Sequence, residues 1–310
     1  MAFHYEVDGA SIESDFPLHA LTYARPEGAL PTLCLRMASS SAPTPASAWE
    51  ARRTVSDSPW LSIARFTGGY LLRIRDLADF TLDLSAPGYP ALLCHPDAGC
   101  PRETLEHLIL DQVFPLALHS IGRFSFHASS VVLDGFGVVA FLGNSGLGKS
   151  TLASSLARFA GAALFSDDCL AVTATSGVAV AHPSYAFTRL YPASAEALID
   201  DWRELPIVSP RTDKRRVSLP AERSPRPLRR LYLLERSESA PVIAPLRPRD
   251  ALAALAAHLY RLDFEDRALL AQEIALLGQI VSDAVVARLA YRRSFTDISA
   301  VHEVIRADTR

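Results

Sequence analysis

Hydrophobic positions along this chain fall into two regimes. Over the first hundred residues they form short runs separated by Pro, Gly and Ser: Leu33-Cys34-Leu35, Trp60-Leu61-Ser62-Ile63-Ala64, Tyr70-Leu71-Leu72-Arg73-Ile74 and Phe80-Thr81-Leu82-Asp83-Leu84. Runs of this length between turn formers predict strands, and residues 69–84 predict two strands about a turn at Asp76-Leu77-Ala78. The stretch 39–48, rich in Ser, Ala, Thr and Pro, predicts a loop. From residue 101 the spacing changes. Leu105, Leu108, Ile109, Val113 and Phe114 recur at a helical period, with Glu103 and Glu106 in the early turns, which predicts a helix over 101–118. The pattern divides the chain into a small β-rich N-terminal domain, 1–104, and a second domain, 105–310.

The second domain mixes strands and helices. An extended segment at 126–133, a turn at Asp134-Gly135 and a strand at 137–142 lead into a helix at 150–160, whose Leu152, Leu156 and Phe159 are spaced to face a sheet. A strand at 162–165 follows, then a hairpin from 169–172 and 178–181 and a short helix within 191–203. Residues 209–227 read as a basic, breaker-rich loop, mobile without ligand at 211–216. A strand at 231–234 precedes helices at 248–262, 265–275 and 282–289.

Composition narrows the function classes. A chain of 310 residues, 49% hydrophobic and 21% charged, with 14 Phe, 9 Tyr and 3 Trp, is not a disordered protein and can bury one substantial core and a smaller second one. A net charge of −3 gives no overall reason to bind nucleic acid or an anionic membrane, although Arg211, Lys214, Arg215 and Arg216 form a local cluster able to hold a small anion. Cys34, Cys94, Cys100 and Cys169 lack metal-ligand spacing, and His95 between two of them lacks a further convergent ligand. Free cysteines, no signal-peptide pattern at the start and no uninterrupted apolar span together give the expectation of a soluble cytoplasmic protein.

Candidate chemistry concentrates after the strand Val138-Val139-Ala140-Phe141-Leu142. There Gly143-Asn144-Ser145-Gly146-Leu147-Gly148-Lys149-Ser150-Thr151 matches G-x-x-x-x-G-K-[ST] in full, between a strand and a helix. Such a turn surrounds a polyphosphate with backbone N–H groups, and the helix start adds its positive end. Lys149 would reach the β and γ phosphates and the Ser150 hydroxyl would ligate Mg²⁺; Thr151 either joins the site or packs the first helical turn. The chain has only two lysines among its 31 Lys and Arg, and one of them is Lys149.

Asp167 and Asp168 end the apolar strand at 162–165. In P-loop proteins such a strand normally lies beside the P-loop strand and offers an acid to the metal. Two adjacent carboxylates can divide metal binding and proton acceptance between them, with coupled pKa values. His127, one hairpin upstream, returns to the same end of the sheet and could hydrogen-bond an aspartate or the nucleophile, although on its own a structural histidine is the commoner role. His119 reads as structural.

Phe126-His127-Ala128-Ser129-Ser130-Val131, the run 143–151 and Phe165-Ser166-Asp167-Asp168 together resemble the P-loop serine kinases around bacterial HPr kinase/phosphorylase, in the style of the HPr-kinase-related proteins found near peptide-maturation genes, lasso-peptide kinases included. The arrangement is more distantly similar to phosphoenolpyruvate carboxykinase. The resemblance covers about residues 105 to 245. It implies an α/β fold with a P-loop kinase core, the β-rich N-terminal domain and C-terminal helices. It also implies nucleoside triphosphate in the P-loop, metal and base roles for Asp167 and Asp168, and support of an aspartate by His127. Lys214 and Arg215 resemble a basic pair of these proteins, and Arg189 in Thr188-Arg189-Leu190-Tyr191 a further clamp; a solvated charge cluster is the alternative for 211–216. HPr kinases usually carry Glu where this chain has Thr151, together with a downstream signature for dephosphorylation that is absent here. Neither HPr as substrate nor the reverse reaction is therefore implied.

The resulting expectation is a kinase using ATP and Mg²⁺ to phosphorylate a serine hydroxyl of a peptide or peptide precursor. A free small-molecule acceptor such as an amino acid, or a non-catalytic nucleotide-binding regulator, are the alternatives. No nucleic-acid or membrane partner is expected, and homo-oligomerisation is left open.

Overall fold

The computed structural model describes residues 2–24, 30–45, 50–55, 58–209 and 212–310, with the backbone alone at 50–55 and 58–59. Two compact units divide the chain, Met1–Ala117 and Leu118–Arg310. The helical run after residue 101, read from sequence as the head of the second domain, groups with the first unit.

The first unit is built on one eight-stranded sheet of β1 (Phe3–Val7), β2 (Ala10–Ser14), β3 (Leu33–Met37), β4 (Glu50–Val55), β5 (Ser58–Phe66), β6 (Gly69–Ile74), β7 (Ala78–Asp83) and β8 (Ala91–Pro96), in the order β1-β2-β3-β8-β7-β6-β5-β4. β6 and β7 form the expected hairpin, with Asp76 in the left-handed region at φ 58°. Alternation sets the burial: Ala78, Phe80 and Leu82 face the core, while the residues between them are only partly covered. His95 spends both ring nitrogens locally, on Thr81 Oγ1 at 3.0 Å and the Ser40 carbonyl at 2.8 Å. The helix expected over 101–118 is α1 (Arg102–Leu108), a π-helical turn at Ile109–Val113, and α2 (Phe114–His119). Pro115 explains the turn. It has no N–H to return to the carbonyl four residues back, and the Phe114 N–H reaches Ile109, five back.

The second unit runs β9 (Phe124–Phe126), β10 (Ala128–Leu133), β11 (Gly137–Leu142), α3 (Lys149–Phe159), β12 (Ala163–Ser166), β13 (Leu170–Thr175), β14 (Val178–His182), β15 (Phe187–Leu190), α4 (Pro192–Leu198), β16 (Ile207–Ser209), β17 (Thr212–Ser218), β18 (Arg226–Arg236), β19 (Val242–Pro245), α5 (Pro248–Ala257), α6 (Arg267–Asp283), β20 (Val285–Tyr291) and α7 (Ile298–Asp308). β12, β10, β11 and β18 lie side by side. β18 continues to β20 through 230–236, while its first residues pair with β14, beyond which lie β13 and β9. β11 is buried on both faces, which is why it reads as an unbroken apolar run. Val138, Ala140 and Leu142 pack with Leu255, Leu277 and Ile280 of α5 and α6. Val139 and Phe141 pack on the opposite side with Leu152 and Leu156 of α3 and with Val301 and Ile305 of α7.

Three expectations are corrected. Residues 209–227 are not one loop, because β17 pairs with both β15 and β16 and buries Val217 against Leu190 and Leu198. Pro210 and Arg211 lie outside the described residues, so of the segment expected to be mobile only 212–216 is described, and it is strand. The helix expected at 282–289 is instead β20, a β-branched start followed by alternating burial, laid parallel to β18. β18 is also far longer than the expected 231–234, and α7 was not anticipated.

The buried or half-buried histidines of this unit include His119, 2.7 Å from Glu273 Oε1, His182, His258 and His302, 2.8 Å from Ser155 Oγ. Burial lowers all four below the ordinary 6.5. The unfolded chain therefore binds protons that the folded chain refuses, so stability rises with pH in this range. We expect unfolding free energy, measured in urea, to hold above pH 6.5 and to fall progressively below it, down towards the folded-state pKa values. A flat profile between pH 7.5 and 5.5 would contradict the burial of these imidazoles.

Candidate phosphate and carboxylate site

β11 delivers the glycine-rich turn to the start of α3. Gly148 takes φ 96° immediately before the helix, and a Cβ there would stand 3.0 Å from the Tyr291 hydroxyl, so only glycine fits without strain. Tyr291 donates to the Leu147 carbonyl at 3.1 Å and fixes the turn from outside. Asn144, Ser145 and Gly146 are exposed at its tip. Lys149 is buried and folds back over the turn, donating to the Gly143 carbonyl at 2.8 Å and the Asn144 carbonyl at 3.4 Å. Burial pulls its pKa down, and the charges of Asp168 and Asp167 oppose that shift. The ammonium thus rests on weak neutral acceptors that a phosphate could replace. Ser150 Oγ lies 3.4 Å from Ser129 Oγ. Thr151 instead bonds Ser194 at 2.9 Å, tying α3 to α4.

The acid pair arrives by a different route from the expected one. β12 does not neighbour β11, because the β10–β11 hairpin fills that edge and β12 pairs with β10. Ser129 of β10 spans the gap, donating to Asp167 Oδ1 at 2.6 Å. A break in two ladders frees these residues. The β10–β12 ladder ends at Ser130–Ser166 and the β9–β13 ladder begins at Leu170–Phe126, leaving 127–129 and 167–169 between them.

Asp167 is fully buried. Its second oxygen accepts from the Thr188 hydroxyl at 2.7 Å and the Arg189 N–H at 3.1 Å, and its carbonyl accepts from the Tyr185 hydroxyl at 3.0 Å. Burial, then the neighbouring Asp168 charge, raise its pKa, while Arg189 and the two hydroxyl donors act in the opposite sense. Asp168 differs in every respect. It is half-buried, sits at φ 63°, and has Arg189 Nη2 3.5 Å from its carboxylate. Left-handed backbone at a non-glycine residue persists where its surroundings enforce it. Here the Asp168 carbonyl accepts from His127 Nδ1 at 3.1 Å and from the Tyr260 hydroxyl at 3.2 Å. A carbonyl can only accept, so neutral His127 carries its proton on Nδ1.

Arg189 is buried against the rings of Tyr185 and Phe187, its guanidinium hydrogen-bonded to the Tyr185 hydroxyl. The pleat then sorts the cations of β17. Arg216 is the cross-strand partner of Arg189 and lies over Phe187, 4.0 Å from the ring centroid. Lys214, on the same face, lies over Tyr191 at 4.9 Å, and its charge helps to depress the Lys149 pKa. Arg215 points the other way, donating to the Leu205 carbonyl at 2.8 Å above Trp202. Of the expected basic pair, Lys214 acts electrostatically on Lys149, whereas Arg215 lies on the other face of β17, and Arg216 shares the face of Lys214. Reading 209–227 as a loop hid the alternation that separates them. Ser129, Thr188, Tyr185, Tyr260 and His258 also belong to this region without having been singled out; Lys149 acts electrostatically on His258, whose carbonyl accepts the His127 N–H.

Among the described residues no group of three or more His, Cys, Asp and Glu could hold a metal by itself. Ser150, Asp167 and Asp168 are hard oxygen donors, the chemistry that suits Mg²⁺ when phosphate oxygens and water complete its shell. No helix of the described residues is long and apolar enough to cross a membrane.

No protein-family model and no curated protein matches the chain. Among solved structures it is similar to the HPr(Ser) kinase/phosphatase from Coxiella burnetii, at 11% identity and a TM-score of 0.34, over 59% of this chain and 89% of that one. The likeness is remote and does not reach the chemistry of the site.

Thr188→Val keeps the side-chain shape and removes one of three donors to a buried carboxylate. We expect it to lower the unfolding free energy by about 1–3 kcal/mol. Equal unfolding curves for variant and wild type would show that Asp167 does not depend on that bond.

Proposed function

We propose that this chain is a kinase that uses ATP and Mg²⁺ to phosphorylate a serine hydroxyl on a peptide or peptide precursor. The observation that carries the reading is the hydroxyl chain Ser150–Ser129–Asp167, which joins the P-loop helix to the acid pair and leaves Asp168 half-open to solvent. Two carboxylates of unequal burial on the flank of a phosphate-binding turn fit a division of labour.

In this mechanism the backbone N–H groups of 143–148 and the start of α3 bind the phosphates. Lys149 exchanges its carbonyl partners for β- and γ-phosphate oxygens. Ser150 and Asp167 would hold Mg²⁺, which when bound would supply charge neutralisation to the phosphates. Asp168, 3.5 Å from the Arg189 guanidinium, orients the acceptor hydroxyl and takes its proton. His127 and Tyr260 hold the Asp168 main chain in place and act as positioning residues. Lys214 and Arg216 present positive charge at the edge, where a transferring phosphoryl or an anionic part of the acceptor is held. Most of the rate enhancement in such a site comes from orientation and electrostatics.

Labelled ATP offered with serine-bearing peptides and with free amino acids tests the reading. γ-Label on a peptide serine supports it, label on an amino acid moves the acceptor to a small molecule, and binding without transfer to either leaves a nucleotide-dependent regulator. Lys149→Ala should stay folded by circular dichroism and lose transfer by about 10²-fold or more. Asp168→Asn should bind nucleotide as the wild type does yet transfer about 10²-fold more slowly. The two faces of β17 should separate cleanly: Lys214→Ala lowers transfer, whereas Arg215→Ala leaves transfer intact. Equal losses in the two β17 variants would mean that the pleat does not decide which cation serves the site.

A further inference from the structure

In the first unit β2, β3 and β8 run side by side and parallel, so they end at Ser14, Met37 and Pro96 on one edge of the sheet. The chain leaving β2 and the helix α1 close a cavity against that edge. Its volume is about 400 Å³, within the range of about 300–1,000 Å³ usual for small-molecule sites. All of its lining residues belong to the first unit. Phe16, Met37 and Leu105 give it an apolar body, and three charged side chains, Asp15, Arg102 and Glu106, stand around that body.

These charges are set apart rather than paired. Arg102 and Glu106 lie one turn apart on one face of α1, a rise of about 6 Å. No ion pair joins them. Arg102 Nη2 donates instead to the neutral Pro17 carbonyl at 3.2 Å, and among the described residues Arg102 has no carboxylate within ion-pair distance. Glu106 is buried. Its Oε1 accepts the Ala20 N–H, while Oε2 has the exposed His19 ring 3.5 Å away. Asp15 accepts the Met37 N–H with both oxygens, at 3.0 and 3.2 Å, which holds a second carboxylate at the rim. Both carboxylates keep lone pairs to spare, and the guanidinium can exchange a carbonyl for a stronger, charged acceptor.

We propose that this cavity binds a free α-amino acid with an apolar side chain. The carboxylate of the ligand lies on Arg102, its ammonium lies between Glu106 and Asp15, and its side chain packs on Phe16, Met37 and Leu105. The two charges of an amino acid sit on one carbon beside its side chain, and the cavity offers opposite charges one helical turn apart beside an apolar body. A peptide end brings only one of the two charges and leaves the other partner unanswered. The inference is independent of the kinase reading, since no residue of the cavity belongs to the P-loop, the acid pair or the cations of β17.

Calorimetry on the full chain without nucleotide, using L-leucine, L-methionine and L-phenylalanine as probes, tests this. The tightest of the three should bind at least about tenfold better than glycine, which has the charges without the side chain. Its amide, which lacks the carboxylate, and its N-acetyl form, which lacks the ammonium, should each bind about tenfold more weakly. Arg102→Gln should weaken the free amino acid about tenfold and leave the amide unchanged, because variant and amide remove the two halves of one contact. Glu106→Gln, which keeps an acceptor for Ala20, should weaken the free amino acid but not the N-acetyl form. Arg102 is exposed and bonded only to a carbonyl, so its variant should fold. Absence of binding by all three amino acids at millimolar concentration overturns the site, as does glycine binding equally well. Equal binding of the amide and N-acetyl forms to the free amino acid, or a parallel loss of free acid and amide in Arg102→Gln, overturns it too.

Discussion

A carboxylate wholly removed from water must be satisfied by the protein around it, and Asp167 is the place where this constraint organises the second unit. Its oxygens take hydrogen bonds from Ser129 on β10 and from Thr188 and Arg189 on β15, and its carbonyl takes one from Tyr185. One side chain thereby fixes the end of β12 against the main sheet and against the small sheet that carries Arg189, Lys214 and Arg216. Through Ser129 it also reaches Ser150 at the start of α3. Displacing any of these strands would leave a buried carboxylate without its partners.

The charges around this group are not balanced. Lys149 and Arg189 act on the two carboxylates, and Lys214 and Arg216 add two further cations on the adjoining strand, in a region where burial already lowers the Lys149 pKa. Aromatic faces carry part of that excess, with Arg216 over Phe187 and Lys214 over Tyr191. Rings attract cations without neutralising them, which leaves the field available to an anion. The burial that makes the lysine costly when alone would also strengthen a pairing with the phosphate oxygen proposed for it.

Sequence carried the local parts of this picture. The 137–142 strand, the glycine-rich turn and the helix behind it were legible because each has its own periodicity or motif, and the β6–β7 hairpin was legible for the same reason. What failed was long-range. Nothing in Ala162-Ala163-Leu164-Phe165 says which strand it will pair with, and a hairpin came between it and the P-loop strand. Residues 212–218 look like a solvated loop because their charges dominate the composition, yet β15 and β16 supply the hydrogen bonds that make them a strand. Residues 282–289 have an apolar content that fits either period, and pairing with β18 decides in favour of a strand. The same gap hid Ser129 and Thr188, two ordinary polar residues that matter only because Asp167 is brought against them.

In the proposed mechanism Asp167 joins the buried network to a metal at the phosphate site. Its most direct test is the affinity of the folded Asp167→Asn variant for ATP, measured by calorimetry with and without Mg²⁺ beside the wild type. Mg²⁺ should tighten nucleotide binding in the wild type and this tightening should disappear in the variant, while metal-free affinity stays level or rises as a negative charge is removed. An undiminished Mg²⁺ effect in the variant would contradict it and reduce Asp167 to a structural pin.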